Sequence, residues 1–115
     1  MSLAIRLMPE TVRSVAFGVI GNVYMGLGTA MTRPIRIIVL QNLTDEGLMF
    51  SFNGVDDHLP LHSQSSLVLD ITSNKTISQG FFIAEGARFY VKALVPGTFP
   101  TLGAAYLTTF YGVEV

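Results

Sequence analysis

Apolar residues alternate with polar or small residues over much of the chain, which is the pattern of half-buried β-strands. The clearest alternation covers residues 48–52, 67–71, 89–95 and 105–111. Turn-forming residues interrupt this pattern about every 10 positions, the spacing expected of a sandwich or barrel. The pattern therefore predicts an all-β protein with about eight short strands.

The segment RPIRIIVLQN, residues 33–42, is apolar on both sides of a strand. One predicted face carries Ile35, Ile37 and Val39, and the other carries Arg36, Ile38 and Leu40. A strand covered on both faces is typical of the centre of a sheet. Pro34 is expected at the start of this strand, where its missing N–H costs least.

Residues 14–32 contain no charged side chain and are long enough to span a membrane as a helix. Their glycines and the alternation over residues 15–19 instead favour two strands around a turn at Gly21-Asn22. We therefore expect a β-hairpin here and no membrane segment. A further short strand is predicted at residues 81–83.

The length of 115 residues corresponds to a single domain. Together with the strand pattern, it predicts one antiparallel β-sandwich over residues 1–115, of the jelly-roll or immunoglobulin-like kind. Residues 1–12 show the least pattern and are interpreted as an N-terminal arm that packs on a neighbouring subunit.

Composition limits the possible functions. Hydrophobic residues make up 50% of the chain and charged residues 13%, more apolar side chain than a small monomer easily buries, so we expect a homo-oligomer. The net charge of −1 provides no basic surface for nucleic acid. Because the chain has no cysteine, disulfides, thiolate catalysis and cysteine-bound zinc are excluded.

Most of the distinctive polar groups lie in residues 41–63, which include Asp56, Asp57, His58 and His62. Histidine with carboxylates suits zinc, manganese or iron, so a small cupin-like metal enzyme is one alternative. In an extended segment, however, residues four apart are separated by roughly 13 Å, too far to share one ion. No cofactor is therefore expected. Catalysis by Asp56 and Asp57 would need a cleft and further such groups nearby, of which the chain has few, so no catalytic role is expected either.

Turn chemistry explains these polar residues better, because short polar side chains bond the local backbone and tolerate positive φ. The predicted turn-forming residues are Asn42, Asp45, Asn53, Gly54, Asn74, Pro96, Gly97 and Gly103. A second alternative is a carbohydrate-binding module that recognises a host surface through an aromatic platform of Tyr90, Tyr106 and Tyr111.

The chain resembles small virion structural proteins of tailed bacteriophages between Arg33 and Tyr111. The resemblance is carried by the following motifs: Arg33-Pro34, QNLTD at 41–45, FSFNGVDDH at 50–58, LDITSNK at 69–75, PTLG at 100–103 and YLTTFY at 106–111. It implies a non-enzymatic capsid decoration or cement protein, or a head–tail or tail component. It also implies that the protein is made in the host cytoplasm, located in the virion, and bound to the major capsid protein or other virion proteins.

Such a protein works through many identical contacts, which symmetry and simultaneous attachment multiply. Pairing of an edge strand with a neighbouring subunit is one expected kind of contact. The side chains predicted to make contacts are Leu3, Ile5, Leu7 and Met8 of the arm, and Asp56, Asp57, His58 and His62 of the turns.

Overall fold

A computed structural model of the chain describes residues 5–70 and 86–114. These residues form nine β-strands and one short 3-10 helix, Phe17–Val19. The strands are β1 (Ile5–Pro9), β2 (Arg13–Ala16), β3 (Met25–Gly26), β4 (Ile35–Asn42), β5 (Leu48–Ser51), β6 (Leu59–Leu61), β7 (Ser65–Asp70), β8 (Tyr90–Ala93) and β9 (Ala104–Glu114). The prediction of an all-β protein is confirmed.

The strands form two antiparallel sheets. The five-stranded sheet has the order β1-β9-β4-β7, and β2 also pairs with β9. The four-stranded sheet has the order β3-β8-β5-β6. Buried side chains from both sheets form one hydrophobic core, so the predicted sandwich is also confirmed.

The pairing of the strands is nested along the chain. β1 and β2 pair with β9, β3 pairs with β8, β4 with β7, and β5 with β6. This is the order produced when one long hairpin is rolled into two sheets, which is the jelly roll. Of the two predicted kinds of sandwich, the strand order therefore matches the jelly roll rather than the immunoglobulin-like fold.

Alternation along the strands fills the core. β4 contributes Ile38 and Leu40, β5 contributes Leu48 and Phe50, and β9 contributes Leu107, all of them fully buried. Each buried side chain of this size stabilises the fold by about 1.5–3 kcal/mol relative to exposure. The core therefore holds the two sheets together by packing.

The predicted face assignment of β4 was wrong at its first residue. The register with β9 shifts between Ile35 and Ile37, which is a β-bulge at Arg36. A bulge adds one residue to a strand and so inverts the alternation on one side of it. As a result, Ile35 is buried in the core with Ile38, while Ile37 is only half-buried.

The predicted hairpin in residues 14–32 was also wrong. β2 pairs with β9 in one sheet, whereas β3 pairs with β8 in the other, so this segment crosses between the sheets. Alternation shows that a strand exists, but it does not show which strand it will pair with. Among the described residues, no helix has the length and apolar character needed to cross a membrane.

Residues 5–9, which belong to the predicted arm, form β1 and pair with the end of β9 in the same chain. Ile5 lies opposite Glu114, and Met8 lies opposite Tyr111. Leu3, the turn at Asn74 and the predicted strand at 81–83 lie outside the described residues.

Candidate functional site

Four connections lie at one end of the sandwich: β2–β3 (residues 17–24), β4–β5 (43–47), β6–β7 (62–64) and β8–β9 (94–103). They come together because Asn42, the last residue of β4, lies opposite both Ser65 and Ala105. In the other sheet, Leu48 at the start of β5 lies opposite Leu61 and Ala93. We call this end the connection end.

A buried asparagine organises the connection end. Asn42 is fully buried, and its Nδ2 donates to the carbonyl oxygens of Glu46 at 2.9 Å, Leu61 at 3.0 Å and His62 at 3.2 Å. Its Oδ1 accepts a hydrogen bond from the Thr44 backbone N–H at 3.0 Å. Asn42 was predicted to form a local turn, and its side chain in fact links the β4–β5 connection to the β6–β7 connection.

Asp45 and Gly103 fix the β8–β9 connection against the β4–β5 connection. Asp45 Oδ1 accepts from the Thr101 backbone N–H at 2.7 Å, and Oδ2 accepts from the Thr101 hydroxyl. The hydrogen bonds from the Thr101 side chain and backbone lower the pKa of Asp45. Gly103 has a φ of 87° and lies so close to Leu43 that an added Cβ would be 1.9 Å from its carbonyl oxygen.

The turn at Pro96-Gly97 is held by two further bonds. The Thr98 N–H donates to the Val95 carbonyl at 3.0 Å, and the Gly97 N–H donates to Asn22 Oδ1 at 3.0 Å. Gly97 has a φ of 81°, which glycine adopts at no steric cost. The β8–β9 and β2–β3 connections are thus attached to each other.

Large hydrophobic side chains are exposed at the connection end. They are between 38% and 75% exposed and comprise Phe17, Val19, Val23, Leu43, Val95, Phe99 and Leu102. These are seven of the 14 exposed large hydrophobic side chains in the described part of the chain. An apolar concentration of this kind usually marks an interaction surface.

A second cluster lies on the four-stranded sheet, where Asp57 bonds to two residues. The Tyr24 hydroxyl donates to Asp57 Oδ1, and Lys92 Nζ lies 3.2 Å from the same oxygen. Lys92 Nζ also lies 4.6 Å from the centre of the Tyr24 ring. Burial, together with the bond to the carboxylate, raises the pKa of Tyr24, and the bonds from Tyr24 and Lys92 lower the pKa of Asp57.

The β5–β6 connection, residues 52–58, is closed by its own side chains. Asn53 Oδ1 accepts from the backbone N–H groups of Val55 and Asp56, both at 2.9 Å, and Gly54 has a φ of 78°. Asn53 Nδ2 donates to Asp56 Oδ2 at 2.9 Å. His58 Nδ1 accepts from the Phe52 N–H at 3.0 Å.

The predicted contact residues thus fall into separate groups. Leu7 is exposed and Met8 half-buried on β1, whereas Asp56, Asp57 and His58 bond within the β5–β6 connection or to the four-stranded sheet. His58 precedes β6 and His62 follows it, so the two histidines lie at opposite ends of an extended strand. His62 is exposed. Across residues 5–70 and 86–114, no three His, Asp or Glu side chains are grouped as they would be to hold a metal ion.

The three tyrosines proposed as an aromatic platform do not share a surface. Tyr90 belongs to the four-stranded sheet, with the Arg88 guanidinium 5.7 Å from its ring centre. Tyr111 packs against the core beneath Arg33, whose guanidinium lies 4.5 Å from the ring centre. Tyr106 and Tyr111 are an odd number of positions apart on β9 and therefore point to opposite faces.

Sequence reasoning missed one buried polar group that joins distant parts of the chain. Arg13 is buried and lies 3.0 Å from Glu10 Oε1 in an ion pair. It also donates to the Thr29 carbonyl at 2.8 Å, the Ala30 carbonyl at 3.1 Å and Thr109 Oγ1 at 3.0 Å. The spacing E-x-x-R was visible in the sequence, but the three distant acceptors were not.

The surroundings of Glu10 lower the pKa of its carboxyl group. Burial raises the pKa of its carboxyl group, but hydrogen bonds from Thr32, Thr109 and Arg13 outweigh burial and lower the pKa overall. Thr109 Oγ1 donates at 2.8 Å and the Thr32 N–H at 3.2 Å. The Glu10–Arg13 pair is therefore a structural ion pair that attaches residues 29–32 to β2 and β9.

The jelly roll by itself leaves the function open, because it occurs in capsid proteins, lectins and cupins. The functional argument therefore depends on the surfaces of this chain. The connection end carries half of the exposed large hydrophobic side chains of the described residues, and the Asp57 cluster carries an ion pair. Neither a scan against models of protein families nor a search of curated proteins found a match to this chain.

Proposed function

We propose that this chain is a non-enzymatic structural protein of a bacteriophage virion. It is present in many copies and stabilises the capsid or the head–tail assembly through symmetric subunit contacts. The observation that carries the proposal is the set of seven exposed hydrophobic side chains at the connection end. The assignment to a virion comes from the sequence resemblance between Arg33 and Tyr111, with which a jelly roll is compatible.

The use of the polar residues also supports a structural role. Asp45 bonds to Thr101, Asp57 to Tyr24 and Lys92, and His58 to the backbone of Phe52. These side chains, which in a catalytic site would face a substrate, instead close connections of the fold. Such bonds keep the surface in one shape, and a fixed shape lowers the cost of ordering on association.

A protein of this kind binds by repetition. Each interface is modest, but a symmetric arrangement engages several at once, so the second contact forms at a high effective concentration. The low content of charged residues, 13%, suits contacts that are mainly apolar.

The carbohydrate-binding alternative loses its main support. The Arg88 guanidinium lies 5.7 Å from the Tyr90 ring centre, and the Arg33 guanidinium lies 4.5 Å from the Tyr111 ring centre, so cations of the chain itself lie where a sugar would stack. Tyr106 and Tyr111 lie on opposite faces of another sheet. We therefore propose no second function.

The test is the copy number of the protein in purified particles of the phage from which the sequence derives. Quantitative mass spectrometry should find it at a fixed ratio to the major capsid protein, with an abundant host protein as the standard for contamination. Absence from the particles would refute the proposal. One equivalent of zinc, manganese or iron on the purified protein would instead support the metal enzyme.

A further inference from the structure

Two of the four connections at the connection end combine exposed hydrophobic side chains with an absence of charge. Residues 14–32 and 93–113, which include the β2–β3 and β8–β9 connections, contain no Asp, Glu, Lys, Arg or His. Six of the seven exposed hydrophobic side chains at this end belong to these two segments. The acids of the β4–β5 connection are half-buried, and Thr101 binds the carboxylate of Asp45.

Backbone contacts bring these hydrophobic side chains together. The Phe17 N–H donates to the Gly103 carbonyl at 3.1 Å, which places Phe17 beside Leu102. The bond from Gly97 to Asn22, at 3.0 Å, places Val23 near Val95. The Leu43 N–H donates to the Ala104 carbonyl at 3.0 Å, so Leu43 lies beside the same connection. We call the seven exposed hydrophobic side chains of this end the apolar end.

The apolar end is large enough for a subunit contact. If each full side chain is given about 150–200 Å², the exposed fractions of the seven side chains correspond to roughly 600 Å² of hydrophobic surface. This is at the upper limit for the largest apolar patch of an ordinary monomer. It also approaches the ~800 Å² that each partner buries in a standard interface.

We propose that the apolar end is the surface through which this chain binds a second copy of itself. In a two-fold contact the same surface meets itself, so any charge near the axis faces its like. A surface without charges avoids that repulsion and pairs with its own copy without a complementary partner. The inference rests on the proposed function, for which it names the contact surface.

The test compares two sets of exposed substitutions. The end variant combines Phe17→Ser, Phe99→Ser and Leu102→Ser. The matched control combines Val55→Ser and Val68→Ser, which remove side chains that are 78% and 61% exposed outside the connection end. Mass is measured by light scattering over a wide range of concentrations, and circular dichroism checks that each variant is folded.

The wild-type protein and the control should associate with the same concentration dependence, and the end variant should bind at least about tenfold more weakly. If the end variant fails to fold, Val23→Ser alone replaces it, because this side chain is 75% exposed. An unchanged mass for the folded variant would overturn the inference. So would a wild-type protein that is monomeric at every concentration.

Binding to a bilayer is the competing explanation of an apolar end. If the wild-type protein floats with phosphatidylcholine vesicles and the end variant does not, the surface is a membrane contact and the inference fails. Copy number in particles is measured independently of these results. The two experiments therefore separate the proposals: the protein can be absent from particles and still self-associate, or be present in particles and not self-associate through this surface.

Discussion

Gly103 allows β9 to begin directly against the β4–β5 connection. Its φ of 87° and the 1.9 Å distance from an added Cβ to the Leu43 carbonyl oxygen both require glycine. A left-handed conformation costs other residues about 1–2 kcal/mol, and the close contact adds a backbone displacement. We expect Gly103→Ala to lower the free energy of unfolding by about 3 kcal/mol or more, measured by urea denaturation.

Gly97→Ala is the matched control for this substitution. Gly97 has nearly the same φ, 81°, but nothing lies within 4 Å of its added Cβ. Only the conformational cost of about 1–2 kcal/mol is expected there. Equal losses for the two variants would mean that the contact with Leu43 relaxes without penalty.

Glu10→Gln should destabilise the protein because it removes the carboxylate from a buried ion pair. The side chains of Glu10 and Arg13 are 7% and 5% exposed, and breaking such a pair leaves Arg13 charged and buried. The expected loss is about 3–5 kcal/mol at neutral pH. The pH dependence of urea denaturation provides a second measurement.

The sign of that pH dependence follows from the lowered pKa of Glu10. A folded-state pKa below the unfolded value stabilises the protein above the unfolded pKa, and the contribution is lost as the pH falls through the folded pKa. The variant should lack this acid-side loss. Glu46→Gln is the control, since Glu46 forms no ion pair among the described residues, and its effect should stay within about 0.5 kcal/mol. Equal effects from both variants would contradict the structural role of Glu10.

Single residues were predictable from the sequence where their partners are close along the chain. Asn53 bonds to residues two and three positions away, and the short polar motif shows this directly. Arg13 bonds to Thr109, 96 positions away, and no local pattern contains that information. Asn42 stands between these cases, because its bond to Thr44 is local and its bonds to Leu61 and His62 are not.

The sequence predicted where most strands lie, but it did not always predict which side chains of a strand face the core. Alternation over residues 48–50 and 105–109 shows the buried positions correctly, but it is wrong at the end of β5, where Ser51 is buried and Phe52 is exposed. In β4, the bulge at Arg36 changes the face of Ile35, and a bulge has no marker in this segment. Residues 14–32 were predicted as a hairpin because the local pattern does not contain the pairing partners. β2 pairs with β9 and β3 pairs with β8, both distant along the chain.

The bulge also buries a cation, and this leads to a prediction. Arg36 is 3% exposed, and its Nη2 has no hydrogen-bond partner within residues 5–70 and 86–114. Burying a guanidinium nitrogen without a hydrogen-bond partner is costly, whereas methionine has a similar length and no polar hydrogen to satisfy. We expect Arg36→Met to raise the free energy of unfolding by about 1–2 kcal/mol, measured in urea.

Arg33→Met serves as the comparison for this variant. Arg33 is exposed with its guanidinium 4.5 Å from the Tyr111 ring centre, so its replacement should cost about 0.5–1 kcal/mol. A loss of several kcal/mol for Arg36→Met would show that the guanidinium pairs with a carboxylate outside the described residues. The bulge would then serve to place a buried ion pair.

For the molecule as a whole, the sequence predicted the class of fold because class depends on local alternation. The order of the strands depends on pairs such as β1 with β9, which join residues from opposite ends of the chain. Those pairs are selected by how the two sheets pack. The apolar excess was visible in the composition, but its concentration at the connection end became visible only when four connections came together.

The absence of charge at the apolar end predicts how self-association responds to salt. Sodium chloride screens charged contacts and leaves apolar contacts nearly unchanged, whereas sulfate strengthens apolar burial because it is excluded from the surface. The dissociation constant, measured by sedimentation, should therefore be nearly constant in sodium chloride and fall in sodium sulfate. The end variant should lose the sulfate response. Weakening by sodium chloride would instead indicate a charged contact, for which the Asp57–Lys92 pair on the four-stranded sheet is the first candidate.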